Sequence, residues 1–166
     1  MTRRMQGFTL IELMVGIAIM AVLMASSVSL GSGWVNEARV TDARSQMRLA
    51  YSKGRAYAIR NGNAVTTAAA WICVASGVVY VYESTSALPT GPAACGGAGS
   101  VWHADLAGGT ATTVETAAAA NSTAFACLGF GNRGIPISAS IGATTCTTAQ
   151  TLYVKRGNVN EATPLI

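Results

Sequence analysis

The sequence contains few charged residues, and only one of its 166 residues is a histidine. Asp, Glu, Lys and Arg make up 11% of the chain, against about 25% of an average soluble domain. The single imidazole, His103, excludes a zinc site that needs several histidines. It also forms no recognisable nucleophile–base pattern with a serine, threonine or cysteine. We therefore expect no enzymatic activity, no bound metal and no cofactor.

The four cysteines are too far apart for a C-x-x-C motif, which argues against a redox centre or zinc site of that kind. An even number of cysteines in an exported chain predicts two disulfides, for which three pairings exist. We favour Cys73–Cys95 and Cys127–Cys146, because each pair brackets a loop rich in Gly, Pro or Thr. Closing loops of about 20 residues would stabilise the fold by roughly 3 kcal/mol each. Four buried free thiols are the alternative.

A short polar segment, residues 1–7, precedes the longest apolar run of the chain. The run extends from Phe8 to Leu30, and its 23 residues would form a helix about 34 Å long, enough to cross a bilayer. It is longer than the apolar core of a secretory signal, which has about 7–15 residues. Arg3 and Arg4 predict that the leader lies in the cytoplasm. Glu12 is a candidate functional residue, because a carboxylate in an apolar span costs roughly 2.5–3.5 kcal/mol.

Residues 7–12, Gly-Phe-Thr-Leu-Ile-Glu, resemble the class III signal of type IV prepilins and type II secretion pseudopilins. The resemblance implies that a prepilin peptidase cleaves between Gly7 and Phe8, and that Phe8 is then N-methylated. It also implies that Glu12, the fifth residue of the mature chain, meets the N-terminal amine of a neighbouring subunit. Such a cation would compensate the burial of the carboxylate and help to fix the axial register. A plain membrane anchor is the alternative.

The same resemblance implies where the protein is located. Before assembly, it would span the bacterial inner membrane once, with its C-terminal domain in the periplasm. After assembly, it would belong to a cell-surface or periplasmic filament. Its partners would be other pilin or pseudopilin subunits.

Beyond the apolar run, the pattern predicts that the helix continues to about Arg60. Gly31-Ser32-Gly33 is an expected weak point, because glycine costs about 1 kcal/mol inside a helix. The turn sequence Asn61-Gly62-Asn63 predicts the helix end. Small and apolar residues at three- and four-residue spacings predict a stripe that packs on a sheet. This stripe consists of Val40, Ala43, Met47, Ala50, Tyr51, Gly54 and Ala58.

The remaining chain predicts short strands separated by turn residues. Residues 84–99, rich in Pro, Gly and Ala, predict a loop. One long helix followed by antiparallel strands is an α+β fold, and the resemblance implies the type IV pilin fold. The predicted segments are a leader at 1–7, a membrane or filament-core helix at 8–30, its amphipathic continuation at 31–61 and a β-rich domain at 62–166. The predicted strands are Val65–Thr67, Trp71–Val74, Val78–Glu83, Ser100–Ala104, Thr110–Val114, Ala124–Phe130, Pro136–Ser140 and Thr151–Lys155.

Three further segments resemble GspH/FimT-type minor pilins and pseudopilins. They are Ala43-Arg44 with residues 56–65, the glycine-turn segment 130–136, and the terminal segment 152–159. The resemblance implies a minor pilin that primes or caps a type IV pilus. A minor pseudopilin of a type II secretion system and a DNA-binding minor pilin for DNA uptake are the alternatives.

Two patterns invite a binding interpretation. Residues 129–134 fit G-x-G-x-x-G, but an extended segment and no nearby acidic residue follow, which favours a β-turn over a dinucleotide site. Arg44, Arg48 and Arg55 fall on one flank of the predicted helix, in line with Glu37. That flank is interpreted as a solvated surface or a filament interface, and acidic partners or DNA are alternatives.

Arg133, Lys155 and Arg156 are the candidate DNA contacts, since members of the FimT branch bind DNA through basic residues near this terminal segment. Such side chains would contact phosphates without reading sequence. The net charge gives little support, because the formal value of +4 includes Arg3 and Arg4 of the leader. A charge this small does not by itself indicate a nucleic-acid partner. An ordinary surface turn is the alternative.

Overall fold

The computed structural model describes residues 9–65, 67–85, 94–118 and 122–165, with residues 26–32 described by their backbone alone. The chain divides into two compact units, Met1–Val35 and Asn36–Ile166. The predicted leader, including Gly7 and Phe8, lies outside the described residues.

One helix, α1, extends from Leu10 to Arg60 and contains 51 residues. The glycines at its expected weak point do not interrupt it. It ends where the turn chemistry predicts, because Asn61 has a left-handed φ of 34°. The Asn61 side chain then accepts a hydrogen bond from the Val65 amide and donates one to the Val65 carbonyl. These bonds hold the chain in the turn that leads to the first strand.

The predicted apolar stripe is confirmed: all seven of its residues are buried. Gly54 permits the closest approach of α1 to the sheet. A Cβ at that position would lie 2.8 Å from Phe130 Cε2 and 3.0 Å from Ile72 Cγ2. The ring of Tyr51 packs edge-on against Phe130 at a centroid distance of 5.1 Å. Small residues on this face of α1 therefore set the distance between helix and sheet.

The strands form two sheets and a hairpin, all with antiparallel pairing. The five-stranded sheet has the order β3-β2-β1-β5-β6, and the three-stranded sheet has the order β10-β9-β4, while β7 and β8 pair only with each other. A 3₁₀ turn, Gly109–Ala111, precedes β4. The strand bounds are β1 Ala68–Ala75, β2 Val78–Glu83, β3 Ser100–Asp105, β4 Thr113–Glu115, β5 Cys127–Gly131, β6 Pro136–Ile137, β7 Ser140–Ile141, β8 Thr144–Thr145, β9 Thr151–Arg156 and β10 Val159–Pro164.

Several strand predictions are wrong in their bounds. Strand β1 begins at Ala68, so no strand covers 65 or 67. The predicted strand at 136–140 is divided between β6 and β7. Strands β8 and β10 had no predicted counterpart, whereas β2 has the predicted bounds. Strand β8 has two residues, and β10 contains mostly polar and small residues, so their apolar periodicity is weak.

Two apolar layers lie on opposite faces of the five-stranded sheet. The first joins the 40–58 stripe of α1 to residues such as Ile72, Val81 and Leu128. The second contains Trp71, Tyr82 and all four cysteines. Side chains alternate across a strand, which explains how neighbours such as Trp71 and Ile72 enter different layers. The result is an α+β fold, consistent with the type IV pilin fold.

Candidate functional site

Glu12 lies in the first turn of α1 and is exposed. Its backbone amide donates hydrogen bonds to the Thr9 carbonyl at 3.1 Å and to Thr9 Oγ1 at 3.4 Å. Thr9 thus satisfies an amide that has no partner within the helix. A carboxylate in the first turn also interacts favourably with the positive end of the helix dipole.

The side chains that follow Glu12 are apolar on every side of the helix. Glu12 is the only charged residue between Arg4 and Glu37. A helix that is apolar all round is stable only where something else covers it, such as lipid or neighbouring helices. The large exposed side chains, each at least 52% exposed, are Leu10, Ile11, Leu13, Met14, Val15, Ile17, Ile19, Met20, Val22, Leu23 and Met24.

Within the described parts of the chain, no helix meets the combined requirement of length and apolar character for a membrane span.

On the basic flank of α1, which carries Arg44, Arg48 and Arg55, one arginine forms an ion pair within the fold. Arg44 forms an ion pair with Glu161 of β10, and both side chains are partly buried. Arg48 and Arg55 are exposed, as is Glu37. The sequence pattern did not indicate Glu161 as a partner, because 117 residues separate it from Arg44.

Arg156, at the end of β9, connects α1 to the loop before β4. Its Nε donates to Asn36 Oδ1 at 3.0 Å, and its Nη1 donates to the Gly108 carbonyl at 3.0 Å and to Thr112 Oγ1 at 3.3 Å. The guanidinium is half-buried by these contacts. Three charge-assisted hydrogen bonds give Arg156 a structural role that sequence reasoning missed.

The other two candidate DNA contacts are in different surroundings. Lys155 is exposed, and it lies on the opposite face of β9 from Arg156 because side chains alternate along a strand. Arg133 is exposed in the turn between β5 and β6. No contact among the described residues joins Arg133 to either of the other two.

The G-x-G-x-x-G segment forms the end of β5 and a turn, as predicted. The Gly134 amide donates to the Gly131 carbonyl at 2.8 Å, and the Gly131 amide donates to the Ile135 carbonyl at 3.0 Å. No helix follows within residues 135–165, so this part of the chain lacks the element that holds a pyrophosphate. Gly134 has a φ of 69° and packs against Arg55 and Ile59 of α1. Glycine at this position therefore allows the turn to pack closely against α1.

Both favoured disulfides, Cys73–Cys95 and Cys127–Cys146, are present. Tyr82, fully buried beside them, donates a hydrogen bond to the Gly97 carbonyl and accepts one from the Gly96 amide. These bonds hold the loop that carries Cys95. Burial raises the pKa of the Tyr82 phenol above its ordinary value of 10.0.

His103 lies exposed on β3, with its ring 6.0 Å from that of Tyr80. Among the described residues, no group of three or more His, Cys, Asp or Glu side chains could hold a metal ion. The described residues around His103 thus supply no assembled site for metal chemistry.

The comparison with known families decides how the N-terminal features are to be interpreted. Residues 2–28 match the prokaryotic N-terminal methylation motif. This motif is found in type IV pilins and pseudopilins. It implies interaction with other pilin subunits and with the prepilin peptidase. No curated protein and no solved structure matches the chain.

Proposed function

We propose that this pilin-like chain is a minor pilin of the GspH/FimT type, which assembles through α1 and primes or caps a type IV pilus. The observation that carries the proposal is the methylation motif on residues 2–28, whose helical part exposes large apolar side chains from Leu10 to Met24. Each such side chain gains roughly 1.5–3 kcal/mol when it is fully buried. Lipid would cover this surface before assembly, and helices of neighbouring subunits would cover it afterwards.

In this proposal the leader is removed between Gly7 and Phe8, and Phe8 becomes N-methylated. Glu12 then lies four residues from the new amino terminus. Its carboxylate would pair with the terminal amine of a neighbouring subunit, since an unpaired charge buried among apolar helices is strongly destabilising. The pair would also select one axial register, because any other offset leaves both charges unpaired.

Replacement of Glu12 tests this assembly step. We expect Glu12→Gln to be cleaved normally and to stay in the membrane fraction, but to be lost from filaments sheared from the cell surface. Glu37→Gln is the matched control, since Glu37 is also an exposed carboxylate on α1. Normal recovery of Glu12→Gln in sheared filaments would contradict the role given to Glu12.

A minor pseudopilin of a type II secretion system is the second candidate, because the methylation motif is common to both groups. Deletion of the gene separates them. Loss of surface pili with normal exoprotein secretion supports the pilus role. Loss of exoprotein secretion with normal pili supports the pseudopilin role.

DNA uptake stays a prediction tied to Arg133, Lys155 and Arg156. The exposed Lys155 is the better test residue, since Arg156 is engaged within the fold. Gel shifts at low salt with the purified chain and its Lys155→Ala variant measure the contribution of this residue. No shift with the unaltered chain would remove the hypothesis.

A further inference from the structure

Cys73 and Cys127 belong to different disulfides but lie directly opposite each other on β1 and β5. The next pair along, Val74 and Ala126, is joined by a backbone hydrogen bond of 3.4 Å. Bonded and non-bonded pairs alternate in an antiparallel ladder, so Cys73 and Cys127 occupy a non-hydrogen-bonded position. Directly opposite residues have Cβ atoms about 4.5–5.5 Å apart, and non-hydrogen-bonded pairs lie at the short end of that range.

This position is compatible with an alternative disulfide between Cys73 and Cys127. Residues at a non-hydrogen-bonded pair have Cα atoms about 4.5 Å apart, within the range of about 4.4–6.8 Å that disulfides occupy. All four cysteines belong to the same apolar layer. They form a series, Cys95–Cys73–Cys127–Cys146, in which the outer two links are covalent and the middle link is a cross-strand contact.

A cleft of about 290 Å³ gives access to this series, and Cys95 and Cys127 both line it. Cys95 is half-buried, whereas the other three cysteines are at most 5% exposed. Exchange requires that an attacking thiolate reach a disulfide sulfur. The Cys95 sulfur is therefore the first point of attack for a thiol from solvent.

We propose that this cleft is a thiol–disulfide exchange site that accepts a dithiol reductant and passes the reduction from one disulfide to the other. A thiolate of the reductant attacks Cys95 Sγ, and Cys73 leaves as a thiolate. The second thiol of the reductant resolves the mixed disulfide, so that the reductant is oxidised and Cys95 becomes a thiol. The Cys73 thiolate then attacks Cys127 Sγ, the Cys73–Cys127 bond forms, and Cys146 leaves as a thiolate that takes up a proton.

The exchange changes which segments are tied to the sheet. The new bond joins β1 directly to β5, while the loop of Cys95 and the segment of Cys146 lose their covalent links. The site is independent of the filament role, since it uses no residue of α1.

Two variants of the full chain, each with one cysteine replaced, test this transfer from one disulfide to the other, which we call the relay. In Cys95→Ser, Cys73 is a free thiol beside the intact Cys127–Cys146 bond. We expect roughly half of that bond to be replaced by Cys73–Cys127, because the two pairings have similar geometry. Cys73→Ser is the matched control, since its free Cys95 is not opposite Cys127, and we expect Cys127–Cys146 to stay intact.

The disulfide pairing can be identified directly from peptides of the chain. After alkylation in acid, cleavage following Glu83 and Glu115 and following Arg133 places each cysteine on a different peptide. A crosslink between the peptides of Cys73 and Cys127, together with alkylated Cys146, supports the relay. If Cys127–Cys146 is intact in both variants, or is lost equally in both, the relay is overturned.

The unaltered chain provides a second measurement that does not depend on the folding of a variant. It is treated with less than one equivalent of dithiothreitol and then alkylated. We expect the Cys73–Cys127 crosslink with alkylated Cys95 and Cys146. Alkylation of Cys73 and Cys95 alone would overturn the proposal.

Discussion

The guanidinium of Arg156 lies against Gly108, whose carbonyl accepts a hydrogen bond from its Nη1 at 3.0 Å. Gly108 has a φ of 94°, and a Cβ there would collide with the guanidinium. Position 108 therefore requires glycine for two reasons: its backbone has a positive φ, and the guanidinium of Arg156 leaves no space for a Cβ. Through Asn36, the same guanidinium reaches α1. This connection joins the three-stranded sheet to the helix.

Gly108→Ala is expected to destabilise the fold by about 2–4 kcal/mol, because it adds backbone strain and displaces hydrogen bonds to a charged group. Gly109→Ala is the control, since Gly109 also has a positive φ but a Cβ there meets no atom within 4 Å. We expect about 1–2 kcal/mol for the control. Urea unfolding of the full chain in detergent measures both, and equal losses would contradict the contact.

Arg156→Ala and Lys155→Ala should differ sharply in stability although the residues are adjacent. Arg156→Ala loses three hydrogen bonds and is expected to cost about 2–3 kcal/mol. Lys155→Ala removes an exposed side chain and should change stability by less than about 0.5 kcal/mol. The free energies of unfolding of the two variants check this. A similar small change in both would show that the Arg156 contacts contribute little.

These two residues also show how far sequence reasoning extends. The helical stripe from Val40 to Ala58 could be predicted, because burial against a sheet imposes the 3.6-residue period. The cysteine pairs could be favoured because each pair brackets a loop rich in Gly, Pro or Thr. The partners of Arg156 could not, since Asn36 and Gly108 are far from it in sequence and only the folded topology brings them together. The alternation of side chains along a strand could by itself have predicted that Lys155 and Arg156 lie on opposite faces of β9.

Gly54→Ala is expected to cost about 1–3 kcal/mol through overpacking, since the added methyl group would meet Phe130 and Ile72. Gly33→Ala is the control, because Gly33 is also in α1 and a Cβ there meets no atom within 4 Å. Higher helix propensity should make that control neutral or stabilising by up to about 1 kcal/mol. Thermal unfolding followed by circular dichroism distinguishes them. Stabilisation by both changes would contradict the close packing.

Stability should fall at alkaline pH because of Tyr82. Its pKa is raised in the folded chain above the ordinary value of 10.0, so the folded state holds the proton to higher pH than the unfolded state. The resulting stabilisation is present below about pH 10 and is lost as pH rises through the folded pKa. We expect the Tm advantage of the unaltered chain over Tyr82→Phe to shrink from about pH 9 to about pH 11. A constant or growing advantage over that range would contradict the assignment.

We propose above that the chain is a processed pilin-like subunit that retains its apolar helix, and this proposal can be tested at the N-terminus. Its most direct test is mass analysis of the N-terminal peptide and of the intact chain, extracted from membranes of cells that contain a prepilin peptidase. We expect a chain that starts at N-methylated Phe8 and lacks residues 1–7. A chain that starts at Met1, or one cut beyond Leu30 and released without its helix, would contradict it.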